Sequence, residues 1–150
     1  MAKVVLCIPH GGSVHPEFYR HLLIMQNATP QHQFTYCELD MMLVGKARND
    51  LVKLALSISP DVVWFVDDDV LVPPHSGTLV DEARSLGVVA GLYFNRRIPY
   101  VPQLYTLATE PEYKGKKMYW PVTDYPEGLM VVDAVGAGCL TIRADIFQDL

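Results

Sequence analysis

Apolar and polar positions change rhythm several times along the chain. Residues 4–9, VVLCIP, form an unbroken apolar run rich in β-branched side chains, the pattern of a strand buried on both faces. The run closes on a PHGGSVHP turn. Pro16 then suits the first turn of a helix through EFYRHLLIMQ, with Phe18, Leu22 and Leu23 on one face. Residues 34–39 predict a second strand. Asp40 is placed to cap the next helix, in which Val44, Ala47, Leu51, Leu54, Ala55 and Ile58 recur at helical spacing. Pro60 ends that helix, and residues 61–66 return as a third strand. Beyond Pro73 and Pro74 a further helix runs to Gly87, followed by a fourth strand over residues 88–94.

Strand and helix alternating in this way imply parallel strands joined by right-handed crossovers, hence an α/β layer fold. From Asn95 the rhythm is lost. RRIPYVPQLYTL, KKMYWPV and GLMVVDAVGAGCLTIR predict short strands and loops without intervening helices, and a last helix opens at Ala144. A chain of 150 residues fits one domain. The change of rhythm divides it into a first part, 1–94, and a second, 95–150.

Composition narrows the function. Half the residues are apolar and 19% are charged, which excludes a disordered chain. A net charge of −5 with no lysine- or arginine-rich block argues against a nucleic-acid partner, which needs a basic footprint. The apolar runs near the N-terminus and over residues 87–94 are strand-length, so no transmembrane segment or signal-peptide core is expected. Cys7, Cys37 and Cys139 lack a CxxC pair and read as reduced, largely buried thiols, which makes the cytoplasm the expected location.

The candidate chemistry lies in WFVDDDVLVPP, residues 64–74, where an apolar strand runs into three carboxylates. Were the strand to continue, Asp67 and Asp69 would share one face and Asp68 would take the other. Two carboxylates about 7 Å apart repel by roughly 2–3 kcal/mol at an effective dielectric near 20. A divalent cation removes that repulsion, and oxygen-only ligands favour Mg2+ or Mn2+ with positions left for water and phosphate. In open α/β sheets ligands gather at the carboxyl ends of the strands, where this run falls. The Gly-Gly turn after the first strand would let a ligand approach the backbone, but it is neither a P-loop nor a GxGxxG fingerprint. Arg48 lies on the flank of its helix stripe, placed either to snorkel or to reach a nucleotide.

These residues resemble a family. VVWFVDDDVLVPP is similar to the DxD segment of GT-A glycosyltransferases, particularly the family 2-like bacterial and phage enzymes. VVLCIPHGG, KARNDLVKLAL, VVAGLYFNRR and VDAVGAGCLTIRADIF fit the same pattern in the same order. The resemblance implies a Rossmann-like three-layer α/β/α fold with a mostly parallel central sheet. It also implies a nucleotide-sugar donor, usually a UDP-sugar, bound with Mn2+ or Mg2+, and transfer of the sugar to an acceptor the residues do not name. Carried over, Asp69 is the main metal ligand, Asp67 meets the metal or the ribose, and Asp68 backs up either. Pro9, His10 and Gly11 line the nucleobase and ribose pocket, and Arg48 sits near the base or diphosphate. Gly136 and Gly138 let the backbone approach the transferred sugar or the acceptor, although a tight turn explains glycine there equally well.

Enzymes of this type usually continue past the VGAGC stretch with an acidic base and often a metal-binding histidine. With the chain ending at Leu150, the expectation is a fragment, or a short form that is inactive or needs a partner. Asp133 is the one carboxylate near that stretch offered as a base, and the catalytic residue is otherwise unassigned. Two other functions compete. One is a non-catalytic nucleotide-sugar-binding module. The other is a haloacid-dehalogenase-like phosphatase, whose further acidic pair after Asp69 is missing from the sequence.

Overall fold

The computed structural model describes residues 1–40, 43–110 and 113–149. Its strands are β1 (Lys3–His10), β2 (Gln33–Asp40), β3 (Val62–Val66), β4 (Val88–Ala90), β5 (Leu104–Leu107), β6 (Tyr119–Pro121), β7 (Ala134–Val135) and β8 (Cys139–Arg143). Its α-helices are α1 (Pro16–Ala28), α2 (Val44–Leu56) and α3 (Thr78–Leu86). The chain divides into two compact units, residues 1–91 with 137–150, and residues 92–136. That boundary differs from a single cut after residue 94, because the segment carrying β8 returns to the first sheet.

In the first unit five strands lie in the order β2-β1-β3-β8-β4. β1 pairs in parallel with both β2 and β3, while β8 runs antiparallel between β3 and β4. The fold is therefore mixed α/β, with a five-stranded, mostly parallel sheet and, among the described residues, three α-helices. All five residues of β3 are buried, as an all-apolar run at the centre of such a sheet must be.

The two faces of the sheet are covered by different helices. On one, Leu51 and Ala55 of α2 share a cluster with Val5, Cys7, Val63 and Phe65. On the other, the Gln26 amide of α1 meets the Tyr36 hydroxyl of β2. Strand order requires this arrangement. The chain steps from β1 outward to β2 and then back across to β3, so right-handed crossovers place successive helices on opposite faces.

Several local expectations change. Asp40 ends β2 instead of capping α2, whose N-cap is Leu43 with no side-chain bond. In α1 the buried positions are Phe18, Leu22 and Met25, and Leu23 faces outward. The stripe of α2 is turned relative to the sequence expectation: Ala47, Leu51 and Ala55 are buried, Val52 and Leu56 pack beside them, and Leu54 and Ile58 are exposed. Two alanines in the stripe let the helix lie close, so contact is confined to a narrow face. That rotation carries Arg48, next to Ala47 and one turn before Val52, toward the sheet. β4 stops at Ala90 because Gly91, after one more bond to the Cys139 carbonyl at 2.9 Å, leads into the second unit. The segment opening at Ala144 is a 3-10 helix.

The three cysteines are free thiols and all are buried, as their apolar settings imply. Cys7 and Cys37 are register partners on adjacent strands. Burial first, and then the neighbouring Cys37, pushes the Cys7 thiol from its ordinary value of 9.0 to about 12. Above pH 9 the unfolded chain releases this proton while the folded chain keeps it. Stability should therefore fall by about 1.4 kcal/mol per pH unit between pH 9 and 12, on top of other alkaline titrations. Urea midpoints measured across that window should fall less steeply in Cys7→Ala than in the wild type. Equal slopes would mean the thiol titrates freely in the folded protein.

The second unit holds a three-stranded antiparallel sheet in the order β6-β5-β7. Its close packing accounts for one glycine. A Cβ on Gly136 would lie 2.0 Å from the Tyr93 hydroxyl oxygen, so any other residue there would have to displace the Tyr93 ring.

Candidate functional site

β1 and β3 are parallel neighbours at the point where strand order reverses, so their carboxyl ends lie side by side, the place where ligands gather in open α/β sheets. β1 delivers Pro9, buried within the strand, and His10, half-buried at its end, followed by exposed Gly11. His10 Nδ1 accepts the Gly12 N–H at 3.3 Å, which leaves the proton of the neutral ring on Nε2. At Gly11 nothing lies within 4 Å of where a Cβ would sit, and φ is outside the left-handed range. The fold does not require glycine at this position. Its bare backbone is, instead, suited to close approach by a ligand.

Strand geometry ends at Val66, and the three aspartates form a turn. The Val70 N–H donates to the Asp67 carbonyl at 2.9 Å, which makes Asp68 and Asp69 the turn's central residues. The alternation that would pair Asp67 with Asp69 on one face therefore does not apply. Each carboxylate has its own direction. Asp67 faces α2, where Arg48 Nη2 donates to its two oxygens at 2.7 and 3.0 Å. Asp68 faces the β1 loop, where its Oδ2 lies 3.4 Å from the Gly11 nitrogen. Asp69 is exposed at the turn.

The turn is anchored from β8. The Asp67 N–H donates to the Gly138 carbonyl at 3.0 Å, extending the β3–β8 ladder by one bond beyond Val66 and Cys139. Gly138 thus contributes its backbone to the base of the acidic turn. Arg48 and Asp67 are 26% and 29% exposed, so the pair is partly desolvated and holds its geometry better than a surface ion pair. The Arg48 Nε is buried without a protein partner. Arg48 reaches this position because α2 returns antiparallel to the strands, with its early turns beside their carboxyl ends.

The structure thus brings together Pro9, His10, Gly11, Arg48, Asp67, Asp68, Asp69 and the Gly138 backbone. Gly136 and Asp133 belong to the second unit. There Asp133 Oδ2 accepts from the Leu107 N–H at 2.8 Å and the Thr106 hydroxyl at 3.1 Å, which ties the start of β7 to β5. Two residues not singled out from the sequence also lie near the acidic turn. The Tyr19 hydroxyl of α1 bonds Glu38 of β2 near Asp68, and burial first, then Glu38, pushes the phenol up to about 12. The sequence signal was the polar alternation of Tyr36 and Glu38 along an otherwise strand-like run.

Among the described residues no three of His, Cys, Asp or Glu gather into a complete metal-ligand set. A hard cation that keeps most of its sphere for water and phosphate needs only one or two carboxylates, and in this turn Asp67 already accepts from Arg48 through both oxygens, which leaves Asp68 and Asp69 as the carboxylates turned away from α2.

No family model matches the chain, and no curated protein matches it. Among solved structures, the crystal structure of A197 from STIV is similar, with a TM-score of 0.65 at 16% identity, over 99% of this chain and 68% of that one. At that identity the likeness establishes a shared fold.

Proposed function

We propose that this chain is a GT-A-like glycosyltransferase domain that binds a nucleotide-diphosphate sugar, a UDP-sugar in the first instance, together with Mn2+ or Mg2+. The observation that carries the proposal is the convergence of Gly11, Arg48 and the Asp67–Val70 turn at the carboxyl ends of two adjacent parallel strands. α2 and α1 on opposite faces of the sheet support the three-layer α/β/α arrangement that belongs with such a site.

Pro9, His10 and the bare Gly11 backbone form the wall for base and ribose. Arg48, held by Asp67, presents a guanidinium to the diphosphate, and Asp69 takes the cation. When bound, the cation acts as a Lewis acid that offsets charge growing on the leaving diphosphate. In transfer an acceptor oxygen bonds to the anomeric carbon, the bond from that carbon to the diphosphate breaks, and the diphosphate departs with the electron pair. The acceptor's proton must pass to a base. Because Asp133 Oδ2 is already committed to Thr106 and Leu107, a second reading is favoured beside the first: a module that binds the donor without transferring it.

Calorimetry with UDP, with and without Mn2+, tests the proposal. Metal-dependent binding is expected. Binding that ignores the metal, or no binding, would sink the site assignment. Metal-dependent binding with neither hydrolysis nor transfer of UDP-glucose, UDP-galactose or their N-acetyl derivatives would favour the binding module.

A further inference from the structure

Residues 94–102 of the second unit form a short hairpin with pinned arms. Phe94 bridges antiparallel to Pro102. The Asn95 N–H donates to the Val101 carbonyl at 3.0 Å, and the Val101 N–H returns to Asn95 Oδ1 at 3.0 Å. One step further, the Gln103 N–H donates to the Tyr93 carbonyl at 2.9 Å. These bonds hold the backbone on both sides of the tip, so the side chains that project from it start from a fixed base.

The hairpin carries an open, shallow hollow of about 630 Å3 lined by Phe94, Asn95, Arg96 and Tyr100. That volume lies within the range of small-molecule sites. Phe94 is 43% and Tyr100 65% exposed, so neither ring is consumed by the core of its own unit. Aromatic rings offer large contact area at low entropy cost, because only two side-chain torsions must be frozen. Around them stand an amide, a phenol hydroxyl and a guanidinium. Asn95 spends its carbonyl oxygen on Val101, which leaves the two amide N–H donors as its remaining hydrogen-bonding capacity toward a ligand. The chemistry calls for a ligand with an apolar face and a rim of hydroxyls. A pyranose ring is such a ligand: its C–H face packs on an aromatic ring while its hydroxyls meet the amide and the phenol.

We propose that the Phe94–Tyr100 hollow binds a pyranose ring of a saccharide acceptor. The word acceptor rests on the glycosyl-transfer reading above; recognition of the ring rests on the hollow alone. A fully apolar ligand would leave the Asn95 amide and the Tyr100 hydroxyl unpaired.

The test is saturation-transfer NMR on the full chain, irradiating aromatic protons in the presence of methyl glucoside, methyl galactoside, methyl mannoside, methyl N-acetylglucosaminide and lactose. The ring protons of at least one probe should receive saturation in the wild type. Phe94→Ala and Tyr100→Ala should each weaken binding of that probe by about tenfold, the loss of one aromatic face. Circular dichroism of both variants should match the wild type, since the rings are exposed. No transfer to any probe, or transfer unchanged in both variants, overturns the inference. So does displacement of the probe by UDP, which would make the hollow a nucleotide site. The two proposals fail separately. UDP–Mn2+ binding without saccharide contact removes this inference alone. Saccharide contact without UDP–Mn2+ binding keeps the hollow and removes the transfer reading.

Discussion

Asp69→Asn is expected to abolish Mn2+-dependent UDP binding, a loss of at least about a hundredfold in affinity, with the fold unchanged. A neutral amide oxygen binds a divalent cation more weakly than a carboxylate does, and the exposed position of Asp69 leaves the core untouched by the change. Asp67→Asn is the informative companion. It leaves the Arg48 guanidinium, 26% exposed, without its carboxylate. Breaking a fully buried pair costs about 3–5 kcal/mol, and partial exposure reduces this to about 1–2 kcal/mol. Parallel calorimetry and urea denaturation on the two variants separate the roles. If Asp69→Asn binds UDP–Mn2+ as well as the wild type, Asp69 is not the metal ligand. If Asp67→Asn is as stable as the wild type, the Arg48 pair does not hold the site in place.

Trp64→Ala is expected to destabilise the first unit by about 3–5 kcal/mol, the largest effect of any single truncation in the sheet. Trp64 is fully buried in β3, between β1 and β8, three residues before the acidic turn. The turn's anchor, Asp67 N–H to Gly138, continues the same ladder, so the cavity left by Trp64 should also lower UDP affinity. Trp64→Phe should cost much less. The buried indole N–H meets no hydrogen-bond acceptor beyond the soft sulfur of Cys139, and phenylalanine removes that donor while keeping most of the volume. A urea midpoint for Trp64→Ala equal to that of Trp64→Phe would contradict this account of the core.

A197 from STIV, at a TM-score of 0.65, places the mixed five-stranded fold among solved structures and leaves function to the site. There the decisive features are contacts between distant residues. Arg48 and Asp67 stand 19 positions apart, and Gly11 and Asp68 stand 57 apart. Asp133, close in sequence to the VGAGC stretch, lies in the second unit, where its Oδ2 accepts from the Leu107 N–H and the Thr106 hydroxyl.

The amino-acid pattern by itself determined where strands and helices alternate through the first ninety residues and that an acidic cluster follows the third strand. Those features follow from local periodicity: an all-apolar run such as VVWFV suits only a strand covered on both faces, and Pro60 and Gly87 mark where helices end. Tertiary structure alone decided that β8 enters antiparallel between β3 and β4, because strand order depends on pairing partners and a run such as CLTIR has the same pattern in either direction. It also decided the rotation of α2. Ala47, Leu51 and Leu54 satisfy helical spacing whichever flank turns inward, and the sheet surface selected the flank with Val52 and Leu56. Because that flank carries Arg48, packing in the core determined which cation meets Asp67.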